Sequence, residues 1–101
     1  MKEDLLKIIN HYGVMPQLKY FQSEVFELNE AIIRYEEADY NWFEKEITDV
    51  GYKKHITEEI ADVMVMLEQF KLYYDISSEE ITKIFWSKVA RQLERIENES
   101  N

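Results

Sequence analysis

Hairpin-rich folds need turn residues at most of their connections, and this chain of 101 residues contains only two glycines, Gly13 and Gly51, and one proline, Pro16. That scarcity weighs heavily against an all-β architecture. Apolar residues recur at helical spacing instead, and an all-α fold of four helices is expected.

The first helix is expected from about Lys2 to Tyr12, carrying Leu5, Leu6, Ile8 and Ile9, with Gly13 as its stop. Pro16 suits the first turn of a second helix, from about Pro16 to Ala38, with Leu18, Phe21, Val25, Leu28, Ile32 and Tyr35 on one stripe. Residues 39–56 are less regular and read as a long connector with a short turn of helix at Trp42–Ile47. Thr57 is the expected N-cap of a third helix running to about Tyr74, striped by Ile60, Val63, Leu67, Phe70 and Tyr74. Ser77 and Glu80 form a capping box for a fourth helix reaching about Ile96, followed by a frayed tail.

The length fits one domain, residues 1–101, small enough that oligomerisation would help to bury its apolar surface. Without cysteine, neither a disulfide framework nor a thiolate metal site is available. No apolar run approaches a membrane span, and a cytoplasmic protein is expected. A net charge of −9 disfavours a binder of duplex nucleic acid or of an anionic membrane. A nucleotide substrate remains compatible, because a metal-loaded acidic site binds phosphates through the metal.

Two carboxylate pairs, Glu24/Glu27 and Glu59/Asp62, each have i, i+3 spacing on an expected helix. At about 100° per residue, Glu24 and Glu59 lie roughly 60° from the centre of their helix's apolar stripe, and Glu27 and Asp62 roughly 120°, in the same sense. In an antiparallel helix pair such flanks meet on one side of the seam, with Glu24 and Glu59 half-buried and Glu27 and Asp62 wetter. Four convergent carboxylates repel one another unless a cation sits among them, and an all-oxygen set suits a hard ion such as Mg²⁺. The plain alternative is a solvated acidic surface, since 21 of the residues are acidic. Glu58 and Glu59 would also suit a helix N-terminus.

The surroundings of the pairs carry more information than their spacing. The run Ser23-Glu-Val-Phe-Glu-Leu-Asn-Glu-Ala-Ile32 resembles the EExxE…LxEAI motif of the MazG-like all-α nucleoside triphosphate pyrophosphohydrolases, and Glu58-Glu-Ile-Ala-Asp-Val63 resembles their ExxD motif. Ser23 departs from the pattern, standing where the first motif often begins with Glu. The resemblance implies a four-helix MazG-like bundle, with helices two and three antiparallel around a carboxylate metal site and the fold completed by oligomerisation as a homodimer or homotetramer. It implies that Glu24, Glu27, Glu59 and Asp62 bind Mg²⁺, for which Mn²⁺ may substitute, and that Glu24 or Glu27 accepts a proton. Glu30 and Glu58 are secondary candidates, and solvation is the expected role of Glu30.

Lys88, Arg91 and Arg95 share one face of the fourth helix. By the resemblance, Lys88 and Arg95 contact phosphates, with Gln92 where the family carries Asn. Without it, they read as a basic flank. Lys53 and Lys54 are further phosphate candidates. His11 and His55 show no metal-ligand spacing. Tyr40, Trp42, Phe43 and Tyr52 could stack a base, but packing is the simpler role. Met64 and Met66 read as core filler.

The implied activity is cleavage of the α–β phosphoanhydride of a nucleoside triphosphate. The rivals are a phosphoribosyl-ATP pyrophosphohydrolase and a helical interaction module with no catalysis.

Overall fold

The computed structural model describes residues 1–37 and 42–100, and for 42–50 and 100 the backbone alone. Four α-helices follow one another: α1 (Lys2–Tyr12), α2 (Val14–Glu36), α3 (Trp42–Tyr73) and α4 (Ser78–Ser100). The described residues contain no strand. Among them, no helix is long and apolar enough to cross a membrane.

Gly13 alone separates α1 from α2. Its φ of 91° and ψ of 158° fall in a backbone region open almost only to glycine. Its N–H closes α1 on the Ile9 carbonyl at 2.8 Å. Its own carbonyl accepts from Gln17 N–H, opening α2. One residue thus ends one helix and starts the next.

The turn from α3 to α4 is built differently. Asp75 takes the left-handed conformation, with φ 53°, and its N–H reaches the Leu72 carbonyl while Ile76 N–H reaches Lys71. This is a Schellman ending with Asp where Gly is usual. The Ser77 hydroxyl oxygen then accepts from Glu79 and Glu80 N–H, the N-cap expected from the sequence. Lys71 Nζ ties the corner by donating to Glu68 and to Ser78 Oγ.

The third helix departs from expectation. It begins at Trp42 and continues for 32 residues. Thr57 is therefore mid-helix, and its hydroxyl donates back to the Lys53 carbonyl at 2.7 Å instead of capping. Gly51 sits inside the helix, a cost of about 1 kcal/mol relative to Ala that a helix of this length absorbs. Of the aromatic residues assigned to the connector, Tyr52 is half-buried against Tyr35, with ring centroids 5.6 Å apart. Tyr40 and the side chains of Trp42 and Phe43 lie outside the described residues.

α2 and α3 are antiparallel: Phe21 meets Phe70 edge-on at 5.6 Å near one end of the seam, and Tyr35 meets Tyr52 near the other. α1 packs against both helices. The buried row on α2 is Gln17, Glu24 and Ala31, spaced by seven, and Glu59 and Met66 repeat that spacing on α3. The expected stripes are thus rotated. Leu18, Val25 and Ile32 on α2, and Ile60 and Leu67 on α3, remain exposed, each one residue beyond the buried row, and Tyr74, just past the end of α3, is exposed too. Met66 is core, whereas Met64, two residues away on the same helix, faces water.

α4 joins neither layer. Its described side chains are exposed apart from the half-buried Val89, leaving Ile81, Phe85, Trp86, Leu93 and Ile96 in water. The radius of gyration is 17.9 Å. A compact chain of this length would have about 13 Å. The accessible area of 8446 Å² tells the same story. A compact monomer of this mass exposes roughly 6,100 Å².

Candidate metal centre

The α2–α3 seam carries Glu24 and Glu59 at positions where a helix pair ordinarily places apolar residues. Their relative exposures are 4% and 8%. Oε2 of each is buried without a hydrogen-bond partner. An unpartnered buried carboxylate oxygen is expensive, and native structures rarely tolerate two side by side without a ligand or water. Glu27, one turn along α2 from Glu24, is exposed and brings a third carboxylate to the same point. One oxygen from each of Glu24, Glu27 and Glu59 lies within 4.8 Å of the others. Two ligands of one hard cation, each at about 2.0–2.6 Å from it, stand about 4–5 Å apart at most, so the three oxygens can share an ion.

The local electrostatics express the missing charge. Burial holds the Glu24 carboxyl above its ordinary range, and Glu27, Asp62 and Glu59 push the same way. A hydrogen bond from the Tyr20 phenol pulls partly back. That bond, together with the negative charge of Glu24, raises the Tyr20 phenol in turn. His55 Nδ1 stands 3.9 Å from Glu59 Oε1, one turn earlier on α3.

The four sequence-derived ligands do not all converge. Asp62 is exposed and stands outside the three-oxygen group, although its charge is felt at both Glu24 and Tyr20. It lines an adjoining hollow with Tyr20. Glu30 is half-buried and faces Arg34 Nε at 3.7 Å, so solvation alone does not describe it. Glu58 and Lys54 are exposed on α3. Lys88, Gln92 and Arg95 are exposed on α4, and none lines a hollow beside the carboxylates within this one chain. His11 packs edge-on against Tyr12.

Three features escape a reading of carboxylate spacing alone. Tyr20 lies one turn before Glu24. Gln17 lies seven residues before Glu24, and Gln69 seven beyond Asp62. A buried row of period seven, extended from Glu24, would have found Gln17. No family model, curated protein or solved structure matches this chain.

Proposed function

We propose that the chain is a Mg²⁺-dependent nucleotide pyrophosphohydrolase. It would cleave the α–β phosphoanhydride of a nucleoside triphosphate to give the monophosphate and pyrophosphate. The observation that carries this reading is the pair of buried, unpartnered oxygens on Glu24 and Glu59, with Glu27 in reach of both. The converging residues are also three of the four on which the MazG-like resemblance rests.

The donor set fits a hard divalent ion: it is all oxygen, partly buried and short of positive charge. Glu24, Glu27 and Glu59 would hold the ion, with Asp62 as the fourth candidate and Mn²⁺ as a substitute metal. A bound ion supplies charge to offset that developing on the phosphate chain, and it acidifies an attacking water. Glu24 or Glu27, whichever leaves an oxygen off the ion, would take that water's proton.

Lys88, Gln92 and Arg95 would reach the phosphates from a second copy of the chain. The exposed rows on α2 and α3, and the uncovered α4, offer the apolar surface for that assembly. The excess over a compact monomer is about 2,300 Å² per chain, or about 4,700 Å² for two chains, which lies in the range of obligate homodimer interfaces. A dimer or tetramer is expected by light scattering at micromolar concentration, and a monomer would contradict this part of the proposal.

The deciding experiment is pyrophosphate release from a panel of nucleoside triphosphates, and from phosphoribosyl-ATP, with and without Mg²⁺. Glu27→Gln and Asp62→Asn should each abolish turnover while far-ultraviolet circular dichroism stays helical. Retained activity in both variants would reject the assignment. No turnover of any substrate, with no response to Mg²⁺, would leave the helical interaction module.

A further inference from the structure

Beside the carboxylates, α1, α2 and α3 enclose a hollow of about 570 Å³. Tyr12, Gln17, Tyr20, Asp62, Met66 and Gln69 line it. Two carboxamides are buried here, Gln17 at 7% exposure and Gln69 at 1%, in a chain whose fully buried apolar residues, among those described, are only Ile9, Ala31 and Met66. The amides satisfy each other only in part. Gln17 Nε2 donates to Gln69 Oε1 at 2.7 Å, and Gln69 Nε2 has only the weak acceptor Met66 Sδ, at 3.8 Å. Gln17 Oε1 accepts no bond among the described residues. Two amides carry four N–H donors and two carbonyl oxygens, and one strong bond uses little of that capacity. Leucine or methionine at both positions would fill the same seam without this desolvation cost.

We infer that the Gln17–Gln69 pair is a specificity element that binds the hydrogen-bonding edge of a nucleobase in this hollow. The inference rests on the nucleotide reading above and adds the residues that would recognise the base. A nucleobase is a flat ring whose edge carries a donor and an acceptor side by side, which is what a carboxamide complements. Tyr12 and Tyr20 supply aromatic surface at the same hollow. Tyr20 lines the hollow and lies one turn before Glu24 on α2, so it stands between the hollow and the carboxylates. Asp62, the fourth candidate ligand, lines the hollow as well, which places one carboxylate of the proposed metal site at its wall.

The pair also has a built-in symmetry. Turning both amides over together keeps a bond between them, now from Gln69 Nε2 to Gln17 Oε1, and exchanges donor for acceptor toward the hollow. The pair can therefore meet an amino-bearing edge, as in cytosine or adenine, or a keto-bearing edge, as in uracil or guanine. Gln17→Glu removes that freedom. Its side chain can then only accept, and amino bases should be favoured over keto bases.

The test uses the whole chain with Mg²⁺. Nucleoside monophosphates should shift the side-chain amide signals of both glutamines in ¹H–¹⁵N spectra, and ribose 5-phosphate, which lacks the base, should not. Gln17→Leu should raise KM for nucleoside triphosphates by about 10-fold, the size of one lost hydrogen bond. Gln17→Glu should change the ratio of amino- to keto-base kcat/KM by a similar factor. Turnover by wild type with no amide shift, and with an unchanged KM in Gln17→Leu, would overturn this inference and leave the hydrolase reading standing. Amide shifts without any turnover would support the base site and remove the reaction class. Absence of both would overturn both.

Discussion

The α2–α3 seam and α4 are misplaced in opposite ways. The seam buries Glu24, Glu59, Gln17 and Gln69, polar groups that an isolated chain should leave in water. α4 leaves Phe85, Trp86, Leu93 and Ile96 in water, apolar groups that an isolated chain should bury. Each region is short of a complement. For the seam it is positive charge and a hydrogen-bonding ligand, and for α4 it is apolar surface. A single chain therefore presents two different deficits, and each can be removed without touching the other.

The largest effect should come from charging the exposed side. Phe85→Glu with Leu93→Glu would carry a carboxylate into any interface formed by α4. Self-association should weaken by about 10²-fold or more, read by analytical ultracentrifugation. Helix content should hold, because both side chains are more than half exposed and the ring contact of Phe85 is with its neighbour Trp86 on the same helix. An unchanged assembly would mean that α4 is uncovered in the oligomer too.

Next comes the buried side. Mg²⁺ at 100 times its Kd should stabilise the chain by about 2.7 kcal/mol, or roughly 10 °C or more in Tm. Glu59→Gln should lose most of that gain, since it removes one of the two orphaned oxygens. A gain that survives in Glu59→Gln would place the ion elsewhere.

A smaller effect should appear with pH in the metal-free chain. The folded-state carboxyl of Glu24 lies above its ordinary value of 4.5, so the folded state binds the proton more tightly than the unfolded one. Its contribution to stability is therefore greatest at acid pH and falls as pH rises through 4.5 and on through the raised value. Glu24→Gln should flatten that slope and stabilise the metal-free chain near neutrality, by about 1–2 kcal/mol, while abolishing the response to Mg²⁺. Urea titrations across pH, with and without chelator, would show it. Destabilisation of the metal-free chain by Glu24→Gln would remove the idea of an uncompensated charge in the seam.

The smallest effect separates local from packed helix. α4 depends on its own cap more than α2 does, because little packing supports it. Ser77→Ala should cost about 1 kcal/mol, visible as fraying of α4 in hydrogen exchange before the seam opens.

Much of this was legible in the sequence. Gly13 and Ser77 mark their helix ends because each uses strictly local chemistry, a backbone region closed to other residues and a hydroxyl within reach of two N–H groups. The carboxylate pairs were legible as spacing, but the angular offsets brought all four together, whereas Asp62 stands outside the group formed by Glu24, Glu27 and Glu59. The start of α3 was not. Asp49 and Gly51 resemble breakers, but each penalises a helix by no more than about 1 kcal/mol, and a continuous helix tolerates that. The apolar stripes misled for another reason. Periodicity reports that Leu18, Val25, Ile32 and Leu67 are apolar, not whether their cover comes from the same chain. The amide pair hid because glutamine looks like surface; the row of period seven places Gln17 inside, and Gln69 is found only through its bond to Gln17.

Gly13 has a reach beyond its own turn. Ile8 and Tyr12, which wall the hollow beside the carboxylates, are carried by α1, and α1 lies where it does because Gly13 adopts φ 91°. There is room for a methyl group at that position, with Pro16 Cδ 3.6 Å from where it would sit, so size is not what excludes alanine. The handedness of one backbone torsion does. With an ordinary negative φ the chain would leave α1 in a different direction, and Ile8 and Tyr12 would no longer wall the recess. The shape of that recess is then set in part by a residue that contributes no side chain to its wall.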